Sequence, residues 1–181
     1  MWGFMNLILV FACGCCPVAN PGSPWNGVPC KGTIMLPTSC LAKGSKTVPF
    51  SSARIILTGD QGDVVHTETN QDGEWAVSGL VSLYYRLEAF RDNIVIKQVV
   101  GIQPGIKNQA GEANAYTTSQ VMIYEAANQF FENALYLREV PDLVIPENLV
   151  EAVETAYREC RNPFNDPNLI IMVHDLVHHQ F

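Results

Sequence analysis

Charge is scarce in this chain. Only 16 % of its 181 residues are Asp, Glu, Lys or Arg, against about a quarter in an average soluble domain. No Lys or Arg precedes the first apolar run, residues 2–12. That run is too short to span a bilayer, which needs about 20 apolar residues. Outside the clustered Cys13-Gly-Cys15-Cys16 no CxxC pair occurs, so a zinc knuckle is not expected. The H-E-x-x-H, P-loop, dinucleotide and nucleophile-elbow patterns are missing as well. Each would place a metal, a phosphate or an activated serine in a fixed local geometry. A non-catalytic chain without a cofactor is therefore expected.

The charges that do occur are unevenly placed. Residues 1–101 hold seven Lys/Arg and seven Asp/Glu, whereas residues 102–181 hold four and eleven. The net charge of −7 lies wholly in the second part. Such a surface repels phosphate backbones, so nucleic acid is not an expected partner.

Residues 2–12 have the length and apolarity of a signal-peptide core. Cys13, Cys15 and Cys16 follow at once, then the turn-rich stretch Pro17–Pro24. Val10-Phe11-Ala12-Cys13 resembles the lipobox of bacterial lipoproteins, although Phe11 is bulkier than the usual residue there. That resemblance implies cleavage before Cys13 and acylation of its sulfur and new amino group. The expected partner is then a membrane, reached through the lipid, with an extracytoplasmic location. Residues 1–12 would be a signal peptide and 13–31 a lipidated, flexible tether. An ordinary secretory leader and a buried first strand are the other uses of such a segment.

Cys30 and Cys40 bracket a short segment and are a disulfide candidate in an oxidising compartment. Cys160 stands alone in a helical pattern and is expected as a buried thiol.

Residues 32–101 read as short strands separated by turn clusters. Gly32–Leu36, Ala53–Thr58, Asp63–Thr69, Glu74–Ser78, Leu83–Ala89 and Asn93–Val100 are the expected strands. Gly59-Asp-Gln-Gly62 and Asn70-Gln-Asp-Gly73 are the turns. Asp72-Gly73 is a hairpin signal, because glycine enters φ > 0 without steric cost. Trp75 and Val77 share one face. Leu83, Tyr85, Leu87 and Ala89 share another. Turn signals every 8–12 residues predict an antiparallel sandwich.

The order Ser52–Gly59, Thr69-Asn-Gln-Asp-Gly-Glu-Trp75, Gly79-Leu80 and Tyr85-Arg-Leu87 resembles the carboxypeptidase regulatory-like family, of transthyretin-like (prealbumin-like) fold. Thr69, Asp72, Gly73, Trp75, Gly79, Leu80, Tyr85 and Leu87 match the family's pattern. Val81-Ser82-Leu83 departs from it where the family has Pro and Gly. The likeness covers about 70 of 181 residues. It implies a module that stabilises, spaces or binds a protein or glycan partner. Trp75 and Tyr84 are the aromatic candidates for stacking against a sugar, with core or rim packing as the plainer role of Trp75.

Glu68-x-Asn70-x-Asp72-Gly73 imitates the start of a calcium loop. Its twelfth position is Gly79, so the closing carboxylate is missing. A Lys–Asn isopeptide, with Lys31 and Glu88 in play, has unsuitable spacing.

Residues 102–112 read as a boundary loop, and 102–181 as a helical region. A helix is expected from Thr117, with Thr117–Gln120 as its capping box. Its apolar stripe runs through Val121, Tyr124, Ala127, Phe131 and Leu135 toward Pro141. A second helix spans Asn148–Cys160, with Leu149, Val153, Ala156 and Cys160 inward. Asp166-Pro167 opens a third. The stretch Asn114–Val121 is also similar to a segment that follows such sandwiches in bacterial lipoproteins. His174 and His178 are four residues apart and share a helical face, which makes them a candidate metal pair. No third ligand is evident, and an exposed helix end is the plainer account.

The expected architecture is α+β: a small antiparallel β-sandwich followed by three helices. The expected role is that of an exported, cell-envelope binding or scaffolding module. A carbohydrate-binding module, or a metal-binding or hydrolytic protein using the C-terminal histidines, are the alternatives.

Overall fold

The structure, a computed structural model, describes residues 29–37 and 47–180. Residues 1–12, Cys13 and Cys40 lie outside them, as does nearly all of the tether.

Two four-stranded sheets form a sandwich, and helices follow. The first sheet is built around β1 (Cys30–Pro37). β2 (Thr47–Pro49) and β5 (Glu74–Val77) pair with it antiparallel, and β8 (Asn108–Ala113) pairs with it in parallel. The second sheet has the order β4-β3-β6-β7, all antiparallel. Its strands are β3 (Arg54–Gly59), β4 (Val64–Glu68), β6 (Tyr84–Arg91) and β7 (Ile94–Gly101).

The period-2 alternation of a pleated strand sorts side chains between core and outer face. Ile55 and Leu57 on β3, Tyr85, Leu87 and Ala89 on β6, and Ile96 on β7 are fully buried. Ile34, Leu36 and Trp75 meet them from the first sheet. Each large aliphatic side chain removed from water in this way contributes about 1.5–3 kcal/mol.

The sheet region runs past its expected limit. Residues 108–113 form β8 rather than loop, bulged against β1 between Lys31 and Thr33. The segment Asn-Gln-Ala-Gly-Glu-Ala has little strand propensity of its own. It is extended because a central strand offers it a free edge. One pairing in the sandwich is therefore parallel, not antiparallel. Leu83 also departs from expectation: it precedes β6 and is 43 % exposed.

Sheet edges are closed by side chains. Asn70 Oδ1 accepts from the backbone N–H groups of Asp72 and Glu74, both at 2.9 Å. Thr67 Oγ1 donates to the Ala76 carbonyl at 3.2 Å. The would-be calcium loop is thus a turn whose leading Asn side chain is engaged with its own backbone. Such contacts use polar groups on β5 that would otherwise recruit another strand.

Three helices complete the chain: α1 (Ala115–Phe130), α2 (Glu147–Arg158) and α3 (Pro167–Gln180). α1 starts two residues earlier than expected. Its cap is Asn114, and Thr117 is the far member of the capping box. It also ends early, at Phe130. Asn128 bonds both backbone groups of Leu135 and folds the following loop back on the helix. Pro141 lies inside a separate 3-10 turn, Leu137–Asp142. Asp166 caps α3 as expected, accepting from Asn168 and Leu169 N–H.

Val121 of α1 packs with Val99 and Val140 as a second small apolar cluster. Beside it, Lys97 Nζ lies 2.8 Å from Glu125 Oε1 and 3.4 Å from Glu88 Oε1. The same ammonium sits 4.1 Å from the Phe164 ring centroid.

Two cysteine expectations are corrected. Cys30 is a free thiol, 1 % exposed and facing the core. Its strand is paired on both edges there, with Val77 and Asn108 as its partners in register. No disulfide joins it to Cys40. Cys160 is exposed and disulfide-bonded rather than a buried thiol. It follows the end of α2 at φ 55°, where the chain turns away and Arg161 N–H closes on the Ala156 carbonyl at 2.8 Å.

Candidate ligand cleft

A cleft of about 720 Å³ opens where the second sheet meets the end of α1. Its floor and one wall come from the sheet: Thr58, Gly59 and Asp60 at the end of β3, and Leu83, Tyr84 and Arg86 around the start of β6. The other wall comes from Tyr124 of α1 and the loop carrying Asn133, Tyr136 and Arg138.

A buried polar knot fixes the sheet side. Tyr85 points into the core, so its neighbours Tyr84 and Arg86 point outward. The Tyr85 hydroxyl donates to Asp63 Oδ2 and accepts from the N–H groups of Val81 and Ser82, at 2.8 and 3.0 Å. Ser82 Oγ donates to Asp63 Oδ1 and accepts from Gln61 N–H at 3.1 Å. Burial, with the Asp63 carboxylate as second cause, raises the Tyr85 phenol above its ordinary value. Ser82 stands in the stretch that departs from the family pattern, and its hydroxyl helps hold the turn. The backbone is pinned as well: the Tyr84 carbonyl accepts from Asp60 N–H at 2.9 Å, and the Leu83 carbonyl from Ile102 N–H at 2.7 Å.

The helical side is held by local bonds. Asn128 grips Leu135, and Tyr136 N–H donates to Glu139 Oε2 at 2.8 Å. The Arg138 guanidinium lies 4.9 Å from the Tyr136 ring centroid. Arg86 is neutralised locally. Its Nε is 3.0 Å from Glu88 Oε1, though not aligned for a hydrogen bond, and its guanidinium is 3.4 Å from Glu125 Oε1.

The expected site residues fare differently. Tyr84 is half-buried and lines the cleft. Trp75 is 2 % exposed. It lies under a second groove, of about 700 Å³, on the first sheet, and its Nε1 is enclosed without a partner among the described residues. It cannot present a face for stacking, and it stands on the other sheet from Tyr84.

His174 and His178 do come together, but on aromatic rings. Their centroids lie 4.6 and 4.9 Å from that of Phe130. Among the described residues no group of three or more His, Cys, Asp or Glu side chains is placed to hold a metal.

Tyr124, Tyr136, Arg138 and Asp60 were missed by sequence reasoning. Tyr124 reads as one more member of a helical stripe, and the other three fall in turns without periodicity. The available signal was compositional, a Tyr-Leu-Arg run directly after a helix that already carries an outward Tyr.

No protein-family model matches the chain, and no curated protein matches it.

Proposed function

We propose that the chain is an exported cell-envelope lipoprotein whose sandwich and helices form a non-catalytic binding or scaffolding module. The carrying observation is the cleft, open and lined by aromatic and planar polar side chains on a rigid frame. On this reading the fold belongs with the carboxypeptidase regulatory-like modules that the Thr69–Trp75 and Gly79–Leu87 residues resemble. Acylation at Cys13 provides the membrane attachment, since several acyl chains at about 0.8 kcal/mol per buried methylene make a durable anchor. No helix among the described residues is long and apolar enough to cross a membrane.

Two measurements test this. Cells expressing the chain are fed a fatty-acid probe, and label is expected in the wild type and not in Cys13→Ser. Label that survives the substitution, or none in either, removes the anchor. A photo-crosslinking amino acid at position 136 should capture an envelope partner, protein or glycan, when the same group at position 171 on α3 does not. Equal capture at both positions, or at neither, removes the cleft as the binding surface.

A further inference from the structure

Two crossings between the sheets are made at one end of the sandwich. Residues 78–83 run from the end of β5 to the start of β6, and residues 102–107 from the end of β7 to the start of β8. The β3–β4 turn and the entry to β1 lie at the same end. Asp60 N–H bonds the Tyr84 carbonyl at 2.9 Å, Ile102 N–H the Leu83 carbonyl at 2.7 Å, and Asn108 N–H the Pro29 carbonyl at 2.9 Å. Four large aliphatic side chains stand exposed there: Val64, Val81, Leu83 and Ile106. Elsewhere among the described residues two are so exposed, Val144 and Ile171. The hydrophobic effect would draw such side chains inward, but the loops that carry them are pinned. Asn108 is buried; its Oδ1 accepts from Gln103 N–H at 2.8 Å, and its Nδ2 donates to the Gln103 and Ile106 carbonyls, both at 3.1 Å. Val81 N–H is held by the buried Tyr85 hydroxyl.

We infer that this end of the folded sandwich lies directly on a phospholipid bilayer, with Val81, Leu83 and Ile106 seated among the headgroups. The loop tips carry backbone polar groups, so they enter the headgroup layer and not the hydrocarbon. Apolar side chains at that boundary leave water. Charge favours the same occupant. Residues 78–83 and 102–106 contain no charged side chain. Asp63 is engaged by Tyr85 and Ser82. Lys31 and Lys107 line one hollow beside Pro29, and ammonium groups near a bilayer are drawn to anionic headgroups. Another protein would need a continuous face of about 800 Å², whereas the four side chains stand on three separate segments. Chain length agrees as well. Pro29 is sixteen residues after Cys13, a reach of at most about 55 Å, and β1 starts from this end. The inference rests on the envelope-lipoprotein reading and adds a second, non-covalent contact made by the folded part itself.

The test uses the full chain reconstituted into vesicles of phosphatidylethanolamine and phosphatidylglycerol. A photo-crosslinking amino acid is placed at position 81 or 106, both outside the cleft, and at 144 or 171 as exposed controls. Irradiation should add the mass of a phospholipid at 81 and 106 and leave 144 and 171 without it. In a chain carrying the crosslinker at 83, Val81→Glu with Ile106→Glu should lower the lipid adduct at least about tenfold. Both are surface positions, and circular dichroism of the double variant should match the wild type. No adduct at 81 and 106, equal adduct at all four positions, or an adduct at 83 that the two glutamates leave unchanged, overturns the inference. Fatty-acid label is read separately on the same chains. Label without adduct at 81 and 106 overturns the docking and leaves the anchor standing. Adduct there without label supports the docking and removes only the anchor.

Discussion

The Thr118 hydroxyl accepts the Lys97 backbone N–H at 3.1 Å, and so a residue in the first turn of α1 closes the edge of β7. The neighbouring Thr117 Oγ1 lies 3.1 Å from the Lys97 carbonyl. Tyr157 of α2 reaches the same place, 2.9 Å from Thr118 Oγ1 and 2.8 Å from the Val95 carbonyl. The two threonines therefore join sandwich and helices. They satisfy a strand edge that a bare helix backbone could not serve, because helix N–H and C=O groups run along the axis.

Thr118→Val keeps the shape and removes the acceptor. It should cost about 1–3 kcal/mol, since it leaves the Lys97 N–H unsatisfied in an enclosed place. Thr118→Ser should recover most of that. Urea unfolding curves measure both, and a Val variant as stable as wild type would show that the helices are held by apolar packing alone.

Tyr85→Phe should destabilise by about 1–3 kcal/mol. It leaves Asp63 Oδ2 and two backbone N–H groups short of a partner. Gly59→Ala should also be harmful. A Cβ there would stand 2.1 Å from Asp63 Oδ1 and 2.2 Å from Ser82 Oγ, inside the same knot. Thermal melts of both variants check this, and near-wild-type midpoints would refute the knot's role.

Cys30 gives a pH prediction. Burial raises its thiol from 9.0 to about 11. The unfolded chain loses this proton first as pH rises, so the unfolded state is favoured between pH 9 and 11 and unaffected below 9. Stability should fall through that window, and Cys30→Ala should flatten the fall. Tyr85 and Tyr157, both raised by burial, act in the same direction above pH 10. At pH 8 the folded thiol should resist a thiol reagent and react once urea is added. Rapid labelling without urea would contradict its placement.

The C-terminal histidines are expected to pack rather than ligate. Zinc titrated into the protein should give only the heat of dilution. His174→Ala should cost about 0.5–1.5 kcal/mol through the lost edge contact with Phe130. A saturable zinc heat that disappears in His174→Ala would restore the metal reading.

Much of the fold was legible because its signals are local. Alternation places Tyr85, Leu87 and Ala89 on one buried face, and Asp72-Gly73 marks the β4–β5 turn. Leu149, Val153 and Ala156 face inward on α2 as their spacing requires, and Asp166 opens α3. β2 and β8 were not legible, since three residues carry no periodicity and Asn108–Ala113 has no apolar alternation. The early end of α1 was hidden too. It depends on Asn128 bonding Leu135, a contact that no propensity scale contains. The cleft was visible only through Tyr84, the one lining residue that the sequence singles out as a ligand candidate.

The amino-acid order by itself determined where most of the strands, turns and helices form, which of their faces are apolar, and that no familiar catalytic pattern is present. Those properties depend on neighbours within a few residues, so period and turn chemistry express them directly. Tertiary structure alone decided that Trp75 is enclosed, that Cys30 stays free, and that Tyr84, Tyr124 and Tyr136 share a cleft. Each is a meeting of segments far apart in the chain. Such meetings are set by how whole faces pack, and packing leaves no mark in local sequence.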